Sequence, residues 1–289
     1  MGRAEEKTED LSEVDSYYER ILPFYELETL GRRDLAFWKA LVRRFRPAAV
    51  LEVGAGLGRV SAELAPIADL VVGLEPSIGM LLRARRRLSH QAVRLVAGDM
   101  RCLPFSRRFD LIVAPGDPFC HVTSLEERVA ALADIARHLT SGGHFVLEGL
   151  RRASGAPRRR RRRVRTSGGD LIVDETWQSL RDGLWRATFR YELADRAGEA
   201  SFVARPWSAE SVAKLFASAG LDVQETWGDF SAAPFEPDSP RRIVVARRSR
   251  ATTARASAAE ASPRRREAAR EGRSRAARRA GRDRASRGC

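Results

Sequence analysis

The sequence predicts an α/β fold: a doubly wound, seven-stranded sheet, mostly parallel with its last strand antiparallel, accompanied by N-terminal helices and an inserted antiparallel β-layer. Three observations predict it. Five short apolar runs, at 48–53, 70–74, 93–97, 109–114 and 144–150, succeed one another, and helical stretches join three of them. A glycine-punctuated turn, Gly54-Ala55-Gly56-Leu57-Gly58, follows the first run directly. After the fifth run, 171–177, 184–193 and 200–207 alternate in polarity and are separated by Asp182-Gly183 and Ala197-Gly198, which are hairpin signals.

The elements follow in chain order. Val14, Tyr17, Tyr18, Ile21, Leu22 and Tyr25 recur at helical spacing, with a break expected near Pro23, where an amide donor is missing. Leu35, Trp38, Val42 and Phe45 form a second helical stripe that ends at Pro47. Ser77 caps a helix bearing Leu81, Leu82 and Leu88, and Ser124 with Glu127 forms a capping box ahead of Val129, Leu132, Ile135 and Leu139. Gly142-Gly143 is expected to stop that helix. Ser208 opens a last helix through Val212, Leu215 and Phe216 to Gly220, and the runs at 221–227 and 241–248 return to close the sheet as an antiparallel pair. The inserted strands are expected over one edge of that sheet.

The chain has 289 residues and a formal net charge of +14, from 52 Lys+Arg against 38 Asp+Glu. That balance suggests an anionic partner, but it is unevenly distributed. Residues 151–165 hold nine Arg and no acid, and 248–289 hold fourteen Arg and four acids, which leaves 29 basic against 34 acidic residues elsewhere. The body is therefore mildly acidic. Residues 1–13 are expected to be a flexible N-terminus, 14–248 one domain with an insert at 151–206 that opens on an Arg-rich loop at 151–169, and 249–289 a disordered tail too poor in large apolar side chains to offset its ordering entropy. No aromatic residue is interleaved with either arginine run, and Arg outnumbers Lys 49 to 3 across the chain, so the runs make a weak case for nucleic acid. No apolar run is long enough to span a bilayer, and the first residues are acidic and polar, so a cytoplasmic protein with no membrane partner is expected. Cys102, Cys120 and Cys289 share no metal-ligand spacing, and no metal site is expected.

The chemistry concentrates at 50–64, where an apolar strand runs into Glu52-x-Gly54-x-Gly56-x-Gly58 and then a helix. Such a turn lets a backbone approach a ligand closely, and Glu75, ending the next strand about 20 residues on, stands where nucleotide-binding folds place a ribose-binding carboxylate. A nicotinamide site and an adenosyl site both satisfy this much. The nicotinamide pattern, however, would put a third glycine where the chain has Arg59. Glu75-Pro76-Ser77-Ile78-Gly79-Met80-Leu81 follows the second strand, Gly98-Asp99-Met100 the third, Phe109-Asp110-Leu111-Ile112-Val113-Ala114 forms the fourth, and Leu139 to Leu147 carries Gly142-Gly143 before the fifth. In these ordered motifs the chain closely resembles the class I S-adenosylmethionine-dependent methyltransferases, over residues 45–150 strongly and 205–248 loosely, and that resemblance implies a Rossmann-like sheet with S-adenosylmethionine as cofactor. Trp227-Gly228-Asp229-Phe230 is similar to the C-terminal part of small-molecule members.

By that resemblance Gly54, Gly56 and Gly58 would wrap the methionine part of the cofactor and Glu52 would help to hold its ammonium. Glu75, followed by Pro76, would accept from both ribose hydroxyls; Met80 would pack on the adenine-ribose region; Asp99 and Met100 would contact adenine; and the backbone at Ala114 and Pro115 would lie near the sulfonium. Taken singly, Glu75 also suits a solvated strand-end carboxylate, Met80 a core residue and Asp99 a turn former.

Methyl transfer requires the acceptor's lone pair in line with the methyl group and water kept out. The loop Pro115-Gly116-Asp117-Pro118-Phe119-Cys120-His121 follows the fourth strand and offers His121 as an acceptor-orienting or general-base residue. Tyr18, with Tyr17, sits on a helix that folds over the active site in related enzymes, where Trp177, Trp185, Tyr191 and Trp207 would line the acceptor pocket. The loop lacks the Pro-Pro-aromatic element typical of base-amine methyltransferases. The expected reaction is methylation of oxygen or nitrogen on a small molecule; the rivals are an RNA or protein methyltransferase using the basic segments and a non-catalytic cofactor-binding protein. The acceptor and the oligomeric state are not written in the sequence.

Overall fold

A computed structural model of the chain describes residues 2–29, 32–149 and 158–249. Residues Met1–Arg248 form one compact unit and Ser249–Cys289 another; residues 250–289, read above as a disordered tail, lie outside the described residues, as does 150–157 of the arginine-rich segment. In the first unit, strands β1 (Ala49–Val53), β2 (Leu70–Glu75), β3 (Val93–Ala97), β4 (Phe109–Ala114) and β5 (Leu139–Gly149) run parallel, and β10 (Leu221–Trp227) and β11 (Arg242–Arg248) complete a sheet of order β10-β11-β5-β4-β1-β2-β3. β11 is antiparallel to both of its neighbours, as the sequence predicts.

Strand alternation gives this sheet two apolar faces. Leu51, Val53, Ile112 and Phe145 pack with Leu132 and Ile135 of α5 (Leu125–His138) and Phe216 of α6 (Ala209–Ser218). Val50, Val71, Leu111 and Val146 face the other way, onto Trp38 and Leu41 of α2 (Leu35–Phe45) and Val60 of α3 (Arg59–Leu64). Side-chain caps start the helices where expected: Ser77 accepts from the Met80 amide at 3.4 Å to open α4 (Ile78–Arg87), and Ser124 accepts from the Glu127 amide at 3.3 Å. α5 stops at His138, ahead of Gly142-Gly143, because the His138 ring bonds the Asp134 and Phe105 carbonyls at 2.8 and 2.9 Å and the chain turns directly into β5.

Three further expectations are corrected. Helix α1 (Gly2–Thr29) runs without a break through Pro23, which lies on its exposed face while Ile21 and Phe24 are buried, and residues 2–13, expected to be a flexible N-terminus, are part of it. The arginine run is not a loop. Residues Arg158–Thr166 form strand β6, which pairs in antiparallel register with β7 (Gly169–Ser179); β8 (Trp185–Leu193) and β9 (Arg196–Ala204) complete a four-stranded sheet in the order β6-β7-β8-β9. Acidic neighbours make the strand possible: Arg159 and Arg161 reach Asp174 at 3.8 and 3.3 Å, Arg163 reaches Asp170 at 3.4 Å, and Arg162 pairs with Glu28 of α1. Nor does this sheet merely cover an edge. It meets the body at the loop after β4, where the Arg205 amide donates to the Cys120 carbonyl at 2.9 Å, and its inner face carries α1 through Tyr17, Ile21 and Phe24.

Arg59, at the position that argued against a nicotinamide site, forks onto Asp34 at 2.7 Å through each nitrogen, and Trp38 Nε1 donates to the same carboxylate at 3.1 Å. Burial pushes the Asp34 carboxyl up, but these donors outweigh it and leave it below the usual range. The pair ties α2 to α3. Asp34→Ala would strand a largely buried guanidinium and an indole N–H, and chemical denaturation at unchanged m-value should show a loss of about 3 to 5 kcal/mol.

Candidate active site

The turn between β1 and α3 is built on left-handed backbone. Gly54 and Gly58 have φ of +69° and +70°, and a Cβ would meet Pro118 Cβ at 2.5 Å at the first and Leu88 Cδ1 at 2.5 Å at the second, so both conformation and space require glycine. Glu75, at the end of β2 and 4% exposed, organises the turn: its Oε2 accepts from the Gly56 amide at 2.7 Å and its Oε1 from the Ser77 amide at 2.9 Å. Tyr25 of α1 lies above, its hydroxyl 3.7 Å from where a Gly56 Cβ would stand. Glu52 is deeper. Its Oε2 accepts from the Ser61 amide at 2.7 Å and Ser61 Oγ at 2.5 Å, and burial raises its carboxyl to about 7. Through that oxygen Glu52 tethers β1 to α3.

The loop after β4 faces the turn across Gly54 and Pro118. Ala114 is fully buried at the end of the strand, Gly116 N–H donates to Glu148 Oε2 at 2.8 Å, and Asp117, left-handed at φ +55°, accepts from Trp207 Nε1 at 3.0 Å. A short 3-10 turn, Pro118–His121, then presents His121. His121 Nε2 lies 3.1 Å from Tyr18 Oη, so the two predicted catalytic candidates, 103 residues apart in sequence, form one pair. His121 Nδ1 is buried without a hydrogen-bond partner, and the Phe202 ring stands 4.6 Å from the imidazole. Burial pushes the imidazole down to about 4 and the Tyr18 phenol well up, so both are uncharged near neutrality.

The other predicted residues divide. Met80 is buried at the first turn of α4, Pro76 is half-buried beside Glu75, and Met100 joins the main core. Asp99 is taken up by Arg101, accepting from its amide and its Nε, each at 2.8 Å. Trp177, Trp185, Tyr191 and Trp207 do not line an open pocket. The first two are buried against Cys120, Tyr191 stacks on Phe24 and donates to Glu28 at 2.8 Å, and Trp207 lies in the main core. Among the described residues no cluster of His, Cys, Asp or Glu is arranged to hold a metal.

Sequence reasoning missed Arg128, whose side chain is fully buried on α5 and which supports the His121 loop. Its Nε donates to the Val122 carbonyl at 2.7 Å, its terminal nitrogen to Phe119 at 2.9 Å and to Arg205, and its guanidinium lies 4.4 Å over the Trp207 ring. The signal was available as an arginine on the apolar face of a helix, between Ser124 and Ala131. Tyr25 and Arg32, whose side chains reach toward Gly56 and Gly116, were not read as site residues: Tyr25 counted only as part of a helical stripe, and Arg32 carried no pattern.

The residue set fits an adenosyl cofactor: a glycine cradle that Cβ atoms would fill, a carboxylate held at the end of β2, and an unpartnered imidazole nitrogen beyond the end of β4. Comparison with known proteins agrees. A family model described as a methyltransferase domain matches residues 50–143. A cypemycin N-terminal methyltransferase from Streptomyces sp is 29% identical over 260 residues, covering 82% of this chain and all of that one. A dTDP-3-amino-3,6-dideoxy-alpha-D-glucopyranose N,N-dimethyltransferase from Streptomyces fradiae is 37% identical over 139 residues, 46% of this chain and 54% of that protein. Among solved structures, the S-adenosylmethionine-bound CalS10, an amino pentose methyltransferase from Micromonospora echinaspora, superposes with a TM-score of 0.65 at 26% identity, covering 78% of this chain and 94% of that one.

The buried imidazole has a thermodynamic signature. Its proton affinity is lower folded than unfolded, so the unfolded chain binds the extra proton below pH 6.5 and stability falls as pH drops from there towards 4. Denaturation curves across that range should show His121→Gln sparing on the order of 3 kcal/mol of the acid-induced loss seen in the unsubstituted protein.

Proposed function

We propose that the chain, whose residues 50–143 match a methyltransferase domain, is a class I S-adenosylmethionine-dependent methyltransferase that transfers a methyl group to the nitrogen of a small-molecule amine held between α1 and the loop after β4. The observation that carries the reading is the uncharged His121–Tyr18 pair, linked to the glycine turn through Tyr25, whose ring lies 5.8 Å from that of Tyr18 and whose hydroxyl lies 3.7 Å from where a Gly56 Cβ would stand. When bound, S-adenosylmethionine supplies an activated methyl group on a cationic sulfur. Gly54, Gly56 and Gly58 would hold its amino-acid part, and Glu75 would accept hydrogen bonds from its ribose hydroxyls, with Met80 beside them. Asp99 and Met100 would border the adenine.

The acceptor side then needs little covalent chemistry. An ammonium has no lone pair to offer, and uncharged, partly apolar neighbours such as Phe202, Tyr18 and His121 disfavour the protonated form, so the amine is held ready to react. His121 Nδ1, lacking a protein partner, is free to bond the amine, while the Tyr18 hydroxyl fixes the ring through Nε2. With its proton affinity so lowered, His121 orients the acceptor rather than storing the released proton. The N-methyltransferase relatives support nitrogen over oxygen. A second reading, the N-terminal amine of a peptide, is favoured by the relative aligned over its whole length. An RNA acceptor gains little from β6, whose arginines are largely engaged by carboxylates. The free thiols of Cys102 and Cys120 suit a reducing, cytoplasmic setting.

Calorimetry should give micromolar S-adenosylmethionine binding that Glu75→Gln weakens about a hundred-fold, since charge-assisted bonds to both hydroxyls are lost. Absence of binding by the intact protein would overturn the reading. Against a panel of amines, alcohols and short peptides followed by mass spectrometry, N-methylated products are expected. His121→Gln and Tyr18→Phe should lower kcat/KM about ten- to a hundred-fold with cofactor affinity unchanged.

A further inference from the structure

A groove of about 290 Å³ lies between α1 and β9, sharing Tyr17 and Phe202 with the site described above, and that size is close to the lower limit of roughly 300 Å³ for small-molecule pockets. Two lines of residues form it. Ser16, Tyr17 and Arg20 share one face of α1 at helical spacing, while Ala200, Ser201, Phe202 and Val203 form the free edge of β9, and Arg186 of β8 stands cross-strand from Val203. The groove is joined to the reacting pair through shared rings: Phe202 lines it and stands 4.6 Å from His121, and Tyr17, 4.7 Å from Phe202, stands 5.1 Å from Tyr18.

Two arginines set its charge. Five of the ten arginines on the strands of the inserted sheet are answered by acids, as Arg190 is by Glu199 at 2.5 Å, whereas among the described residues neither Arg186 of that sheet nor Arg20 of α1 makes an ion pair. Two guanidiniums from different elements therefore border a groove that also presents the hydroxyls of Ser16 and Ser201. One arginine fork satisfies both oxygens of a carboxylate; two forks and two hydroxyls match a group with three or more acceptor oxygens.

We propose that this groove is an anion subsite in which Arg20 and Arg186 hold a phosphoryl or diphosphoryl group of the acceptor, anchoring it while its nitrogen reaches His121. The proposal rests on the methyltransferase reading and names the class of molecule that reading leaves open, a phosphorylated amine. Anchoring a part remote from the reacting atom turns binding energy into orientation at the nitrogen.

The test is calorimetric titration of the full chain at low salt with inorganic pyrophosphate, phenyl phosphate and benzoate, alongside S-adenosylmethionine. Pyrophosphate and phenyl phosphate should bind, benzoate at least ten-fold more weakly. Arg20→Gln and Arg186→Gln should each weaken pyrophosphate binding about ten-fold and the double variant abolish it, with S-adenosylmethionine affinity and thermal unfolding unchanged. Arg159→Gln on β6 removes the same charge elsewhere and should leave pyrophosphate binding intact. Pyrophosphate binding that survives the double variant, or that Arg159→Gln weakens equally, overturns the subsite, and benzoate binding as tightly as phenyl phosphate overturns the phosphoryl assignment. Loss of S-adenosylmethionine binding alone would sink the methyltransferase reading and leave the subsite standing.

Discussion

The Glu75 carboxylate is the junction on which the catalytic half depends. Its two oxygens draw in the Gly56 amide from the turn after β1 and the Ser77 amide at the start of α4, so the ends of two parallel strands and the beginning of a helix share one charged group. A carboxylate so buried is tolerable only while those donors are in place, and each such bond contributes about 1.5 to 3 kcal/mol. The consequence reaches α1, because Tyr25 can lie over Gly56 only while the turn keeps its left-handed course. Where α1 lies, Tyr18 meets His121.

The main sheet and its cofactor-facing turn were legible because periodicity and glycine spacing are local signals. Val50, Leu51 and Val53 announce a strand, and Gly54, Gly56 and Gly58 announce backbone that only glycine adopts readily. What escaped reading depends on neighbours distant in sequence. Arg158 to Arg163 has the composition of a solvated loop and becomes a strand because Asp170, Asp174 and Glu28 stand opposite it. The aromatic residues assigned to the acceptor pocket were recognised as important, but which side of each strand they take is set by register: Trp177 and Trp185 turn to Cys120, and Tyr191 turns to Phe24. Glu52 and Asp99 carry the motif and also bond within the protein, Glu52 to Ser61 through one oxygen and Asp99 to Arg101 through both.

Arginine serves three physical roles in this chain, and net charge distinguishes none of them. On β6 it is a counter-ion to a carboxylate surface and lets an edge strand form with Val164 as its one apolar side chain, which also discourages unwanted pairing of that edge. At Arg128 it is a buried hydrogen-bond hub whose carbonyl partners define the loop carrying His121, and burial pushes its guanidinium down to about 10. At Arg20 and Arg186 it is unmatched by acids and faces a groove. The +14 of the whole sequence is a sum over these situations.

The uncharged His121–Tyr18 pair also bears on what an activity profile would report. Both groups keep their protonation state from mildly acidic to mildly basic solution, so the hydrogen bonds offered to an incoming amine stay the same across that interval. Of the pair and the acceptor, only the acceptor then titrates across that interval, while Glu52, which burial raises to about 7 behind the glycine turn, adds an ionisation of the protein's own. If the acceptor is the proposed amine, such a site would select amines by the ease with which they shed a proton on entering, with the reacting pair itself keeping its charge.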